Sequence, residues 1–202
     1  MNDKSKKIIF RLILLIIAVA ANCLGSFIAR NISLPLYLDS VLTIGVTAIS
    51  GLWWGIACAV LSNVTLYLFD YSMLPFTLCH ILTAVCAWLT FRHNIKTQAI
   101  KGQQSGSRGF SMECFLWTGF WCGLTNAVTG NLISDFLFSA ATGVDNIDNA
   151  VRAIYIATGN LRVAIYLGGL ITNLADKFIS ATVSFLLYKL IYNSSSAKSS
   201  AR

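Results

Sequence analysis

Between Ile8 and Ala29 the chain runs for 22 residues with a single charge, Arg11. As a helix, that stretch spans about 33 Å at 1.5 Å per residue, the length needed to cross a hydrocarbon layer of about 30 Å. It is too long and too uniformly apolar for the core of a small soluble domain. The rest of the chain repeats the pattern. Of 202 residues, 56% are hydrophobic and 11% charged, against about 25% charged in soluble domains. Alternation of period two is missing, which argues against a barrel, and Pro35 and Pro75 are the only prolines. These features predict an all-α integral membrane protein with a single membrane domain over residues 1–192. The Ser-rich stretch 193–202 has the composition of a disordered tail.

The apolar runs predict a six-transmembrane-helix bundle, with helices near residues 8–29, 36–50, 52–69, 73–91, 112–141 and 161–191. Ser50 and Gly51 alone link the second and third, so those two form a tight antiparallel hairpin. The second is short, and residues 30–38 are expected to form an outer loop that dips toward the bundle, with Pro35 barring helical continuation. Residues 146–158 carry Ile147, Val151, Ile154 and Thr158 at helical spacing. Asp145 or Asn146 can cap that segment and Gly159 can end it. It reads as a short amphipathic helix on the outer surface, either a plain linker or a lid.

The formal net charge of +7 does not point to nucleic acid, because its excess sits beside the apolar runs. Lys4, Lys6, Lys7 and Arg11 fall on one face, with Arg92, Lys96, Lys101 and Arg108, and with Lys189, Lys198 and Arg202. The positive-inside rule then predicts both termini in the cytoplasm. Ala18-Val19-Ala20 after a basic start resembles a signal-peptide cleavage site. The apolar run continues through Cys23, Leu24, Phe27 and Ile28, so the segment is expected to be retained. The six cysteines form no CxxC pair and read as small buried hydrophobes.

Polar groups in hydrocarbon are costly and face the bundle interior. Here they gather in the outer half: Asn22, Asn63, His80, Asn126, Asn131, Asp135, Asn173, Asp176 and Lys177. A pore or proton wire needs such groups through the full depth, whereas a blind cavity open to the outside needs them only where it lies. The expected substrate-binding set is Tyr37, Asp39, Asn63, Tyr67, His80, Asn126, Asn131, Asp135, Asn173, Asp176 and Lys177. Plainer readings stand beside it. Asn22 and Asn63 suit interhelical hydrogen bonds, and His80 suits a satisfied core histidine. Asp176 and Lys177 are adjacent, about 100° apart on a helix, so Lys177 is expected to take its carboxylate from elsewhere, from Asp39 or Asp135. Tyr37, Tyr67, Tyr71 and Phe76 suit either closure over a ring-shaped ligand or an outer aromatic belt. Trp53, Trp54 and Trp117 read as interface anchors. Ala18, Ala21, Gly25 and Ala29 form a small-residue stripe that suits close helix approach, within the fold or against a partner.

No glycine-rich phosphate-binding loop, HExxH, GxSxG or cysteine–histidine metal spacing is present. The chain is therefore not expected to be an enzyme or to hold a metal or cofactor, and any ATP would be used by partner subunits.

The stretch from Leu34 to Asn63, with Leu38-Asp39-Ser40, the hairpin Gly51 to Gly55 and Ser62-Asn63, resembles helices two and three of the substrate-binding S components of energy-coupling factor transporters. Asp176, Lys177 and Ser180 in LITNLADKFISATVSFLLYKL resemble the last helix of that group. The resemblance implies high-affinity capture of a vitamin or similar micronutrient in an outward-facing cavity. It also implies association with a membrane coupling subunit and two cytoplasmic ATPases in a prokaryotic plasma membrane. Ala18, Ala21, Gly25 and Ala29 would then be the coupling face. The rival expectations are a stand-alone carrier, which predicts internal repeats, and a membrane sensor module.

Overall fold

The computed structural model describes residues 2–100, 109–138 and 145–200, and all regular structure in them is helical. The chain order is α1 (Asp3–Asn31), α2 (Thr43–Ser50), α3 (Leu52–Tyr67), a 3-10 helix (Tyr71–Phe76), α4 (Thr77–Ile100), α5 (Met112–Phe138), α6 (Asp145–Thr158) and α7 (Leu161–Ser200). Among the described residues, three stretches are long and apolar enough to cross a membrane: Asp3–Asn31, Tyr71–Ile100 and Leu161–Asn193. Predicted residues 101–108 of the polar connection and 139–141 of the fifth segment lie outside the described residues. So does the Asn146 side chain.

Helix α1 shows how sequence divides the two faces. Leu14, Ala18, Asn22, Ser26 and Ala29 are buried, spaced by three or four residues as one stripe of a helix demands. Ile13, Ile16, Ile17, Leu24 and Phe27 are exposed on the other side, a surface that suits lipid tails and not water. Helices α5 and α7 pack antiparallel. Gly119 brings α5 so close that a Cβ there would lie 2.8 Å from the Lys177 carbonyl oxygen. This is the close approach small residues allow.

The second predicted helix is much shorter than expected. Regular helix begins only at Thr43, and residues 32–42 are irregular. Eight residues rise about 12 Å, less than half a hydrocarbon layer. The irregular backbone is tolerated inside the bundle because its polar groups are met there. Leu38 N donates to Asp176 Oδ1 (2.6 Å), Leu42 N to Asn22 Oδ1 (2.8 Å) and Gly45 N to Ser184 Oγ (2.9 Å). Ser184 Oγ donates onward to the Val41 carbonyl (2.8 Å). The hairpin link is as predicted: Gly51, at φ 90°, both ends α2 and precedes α3.

Three helices run past their predicted ends, α1 at both Asp3 and Asn31. α4 continues to Ile100, and the backbone of α7 is helical to Ser200, through the stretch whose composition predicts disorder. Extending a helix already formed adds one hydrogen bond per residue fixed.

The amphipathic helix α6 is present. It starts at Asp145 itself and ends at Gly159, whose φ is +67° and whose N–H donates to the Tyr155 carbonyl (2.8 Å). Ile147 and Val151 are buried, Ile154 is half-buried and Thr158 is exposed. Ile147 packs with Leu66 and Met73, and Val151 with Ala164 and Ile165. The segment 32–42, the 3-10 helix and α6 together close one end of the bundle, the cap end. The opposite end is filled by Phe91, Phe110, Phe115, Phe185 and Tyr188, with ring centroids 4.6–5.5 Å apart.

Candidate functional site

Under the cap, ionisable groups from three elements meet. Asp39 and Ser40 come from the irregular segment, His80 from the first turn of α4, and Asp176 with Lys177 from the middle of α7. All five are buried. Lys177 Nζ donates to Asp176 Oδ2 and to Ser40 Oγ, each at 2.6 Å, and lies 3.8 Å from Asp39 Oδ1. The other Asp39 oxygen, Oδ2, stands 2.9 Å from His80 Nε2. That approach is an ion-pair contact when the imidazole is protonated, but it is out of line for a hydrogen bond.

The expectation that Lys177 must find its carboxylate elsewhere is therefore corrected. Asp176 is its closest partner, because the four-carbon lysine stem curls back over the 100° that separates neighbouring side chains. Asp39, one of the two expected partners, completes the group at longer range. Asp135, the other, is exposed on α5 and does not reach it, although Asn131 four residues earlier is buried. The reason is direction: at this level Ser134 is buried and Phe138 stacks on Phe76, so the packed face of α5 has turned away from Asp135.

The cluster borders a cavity lined by Tyr37, Asp39, Met73, Phe76, Cys79, His80, Asn126, Gly130, Asn173 and Lys177. Its atom-free space is about 380 Å³, part of it open to solvent, but only about 20 Å³ admits the centre of a water molecule. That is room for about one water. Tyr37, Met73 and Phe76 form its cap-side wall. Phe76 is stacked on Phe138 at a centroid separation of 5.8 Å.

Six of the eleven expected binding residues line this cavity: Tyr37, Asp39, His80, Asn126, Asn173 and Lys177. The other five do structural work or lie apart. Asp176 is fully enclosed and bonded to Lys177 and to the Leu38 backbone. Asn63 holds the 3-10 helix, donating to the Met73 carbonyl (2.9 Å) and to Thr77 Oγ1. Asn131 lies against Gly169 of α7 and donates to the Tyr166 carbonyl (3.4 Å). Tyr67 meets Tyr71 edge to face at 5.1 Å, and Asp135 is exposed. Sequence reasoning missed Met73, Cys79 and Gly130 in the wall and Thr83, which accepts from Asn126 Nδ2 at 2.8 Å. For Cys79, Thr83 and Gly130 the only sign is their spacing from His80 and Asn126 on the same helices, and Met73, on the 3-10 helix, gives none.

No family model, curated protein or solved structure matches this chain. What the site does must be read from its own geometry.

Asn22 follows the plainer of its two readings. Its amide donates to Thr43 Oγ1 (3.1 Å) and Ser62 Oγ (2.9 Å) and accepts from Leu42 N, tying α1 to α2 and α3. The small-residue stripe is likewise used inside the fold. Ala18 and Ala29 are fully buried, and a Cβ at Gly25 would lie 2.4 Å from the Leu38 carbonyl oxygen. Packing the irregular segment against α1 requires that closeness. Ala18, Gly25 and Ala29 therefore do not form an open face for another subunit, and Ala21 is half-buried beside them.

Outside the site, Arg30 Nη1 binds Asp70 Oδ2 at 2.8 Å and latches α1 to the turn before the 3-10 helix. Burial alone would raise the Asp70 pKa, but hydrogen bonds from Ser72 and Arg30 outweigh it and hold the carboxyl below its usual value.

Proposed function

We propose that this chain is a substrate-capture subunit for ATP-driven uptake of a small micronutrient, an S component of an energy-coupling factor transporter. It has six crossings, with α2 and the irregular segment counting as one, and both termini lie in the cytoplasm of a prokaryotic cell. One observation carries the reading: a buried constellation of two carboxylates, an ammonium and an imidazole borders a cavity at one end of the bundle. The other end is packed with aromatic rings. Buried ionisable groups in a membrane domain mark ligand or ion sites. Confinement to one end suits a blind receptacle better than a channel.

In this reading the cap end faces outward. The segment 32–42, the 3-10 helix and α6 are the gate, drawn here over a cavity with room for about one water. Ligand entry swings Tyr37, Met73 and Phe76 aside, and the space open to a ligand then approaches the 300–1,000 Å³ usual for small-molecule sites. The chain supplies the ligand pocket, and a coupling subunit with two ATPases supplies the work. That coupling contact lies on lipid-facing surface and not on the small-residue stripe of α1.

The test is to purify the protein natively, release its small molecules for mass spectrometry, and look for a coupling subunit and ATPases that co-purify. A bound metabolite together with those partners is the expected result. Neither one, under mild detergent, overturns the proposal. Uptake into liposomes containing this chain alone would replace it with a stand-alone carrier.

A further inference from the structure

Three residues beside the cavity carry buried polar atoms with no hydrogen-bond partner among the described residues: Asp39 at Oδ1, His80 at both ring nitrogens and Asn126 at Oδ1. They come from three separate elements, the irregular segment, α4 and α5, and all three residues line the same cavity. Each residue is at least nine-tenths buried, at 7%, 2% and 2% exposure. Buried polar groups without partners are rare and costly, and three around one void call for an occupant.

Their chemistry says what kind. The Asp39 and Asn126 oxygens are acceptors, and His80 Nδ1 is a third acceptor whenever the ring proton sits on Nε2, toward Asp39. Most of the nearby donors are already engaged, the unpartnered ring N–H of His80 excepted. Lys177 Nζ serves Asp176 and Ser40, Asn126 Nδ2 serves Thr83, and Asn173 Nδ2 serves the Gly169 carbonyl. Formal charge points the same way: Asp39 and Asp176 set two negative charges against the single positive charge of Lys177, leaving one uncompensated. A carboxylate or phosphate ligand would face the uncompensated charge of Asp39.

We propose, building on the capture reading above, that the site selects a small ligand bearing a protonated nitrogen with N–H donors: an amine, an amidine or an amino-substituted heterocycle. That nitrogen is held by Asp39 Oδ1 and Asn126 Oδ1. The ligand's apolar or aromatic part lies against Tyr37, Met73 and Phe76.

The experiment uses the full chain in lipid nanodiscs at pH 7 and three probes of one shape and different charge: benzamidine, benzyl alcohol and benzoate. Binding is read by calorimetry and by the shift in melting temperature. Benzamidine is expected to bind at least tenfold more tightly than either of the others. Asp39→Asn is expected to remove at least tenfold of that affinity, and Asn126→Ala a smaller part. The charge series on the unmodified protein decides the matter even if Asp39→Asn fails to fold. Benzoate or benzyl alcohol binding as tightly as benzamidine overturns the inference. So does an anionic or neutral metabolite released from the native protein, and in either of these cases the capture reading stands. If no probe binds and no metabolite is released, a single buried water fills the cavity, and both proposals fall together.

Discussion

Lys177 donates at 2.6 Å to its own sequence neighbour, Asp176, whose other oxygen accepts from the Leu38 backbone at 2.6 Å. One carboxylate thus fixes the lysine that borders the cavity and the irregular segment that roofs it. Removing the lysine leaves two carboxylates buried without their counter-charge. Breaking such a pair costs about 3–5 kcal/mol. Lys177→Met should therefore lower the melting temperature sharply, and adding Asp39→Asn should restore part of the loss. Thermal denaturation in detergent, followed by circular dichroism, checks both.

Asn22 meets a backbone donor that nothing else serves, Leu42 N. Asn22→Leu keeps the number of side-chain heavy atoms but orphans that donor and takes the amide partner from the Ser62 and Thr43 hydroxyls. The expected cost is about 1–3 kcal/mol. Hydrogen exchange should show faster exchange at residues 38–43 than elsewhere in the bundle. Uniform exchange would contradict the assigned role.

Gly25 admits no side chain without displacing the Leu38 carbonyl. Gly25→Ala should destabilise the protein and move Asp39 off His80, weakening ligand binding. Ala21→Ser, at a half-buried position one turn away, should change little. Parallel melting curves and binding assays on the two variants separate steric displacement from a general intolerance of α1.

The latch between Arg30 and Asp70 gives a pH dependence whose sign is fixed. The folded Asp70 carboxyl titrates below its usual value of 3.8. Its stabilisation is therefore full above that value and is lost as the pH falls through the lower, folded value. Acid should loosen the turn at the cap, seen as faster proteolysis near residues 68–72. Asp70→Asn should loosen it already at neutral pH and flatten the acid response.

The gate makes a kinetic prediction. Ile147 of α6 packs with Met73 of the 3-10 helix, so Met73→Cys with Ile147→Cys can be cross-linked by oxidation. The locked protein should bind ligand at least tenfold more slowly, and reductant should restore the rate. Unchanged binding in the locked state would show that ligand enters elsewhere.

The sequence by itself determined that the chain is helical and suited to a membrane, because charge poverty and apolar run length are local properties that tertiary contacts cannot reverse. It also located α6, the hairpin turn at Gly51, and the helices that carry His80, Asn126 and Lys177, whereas Asp39, expected on a helix, lies in the irregular segment. Only the tertiary structure decided how the polar residues are divided between holding the fold and facing the cavity. Asp176 and Asn22 carry the same polar character in sequence as Asp39 and Asn126. They are consumed by the backbone donors of Leu38 and Leu42, donors left without helical partners because residues 32–42 are irregular. The small stripe on α1 was equally ambiguous until that segment was seen to lie against Gly25. Helical spacing tells which residues share a face. It does not tell which neighbour occupies that face, since that neighbour is set by contacts between residues far apart in the chain.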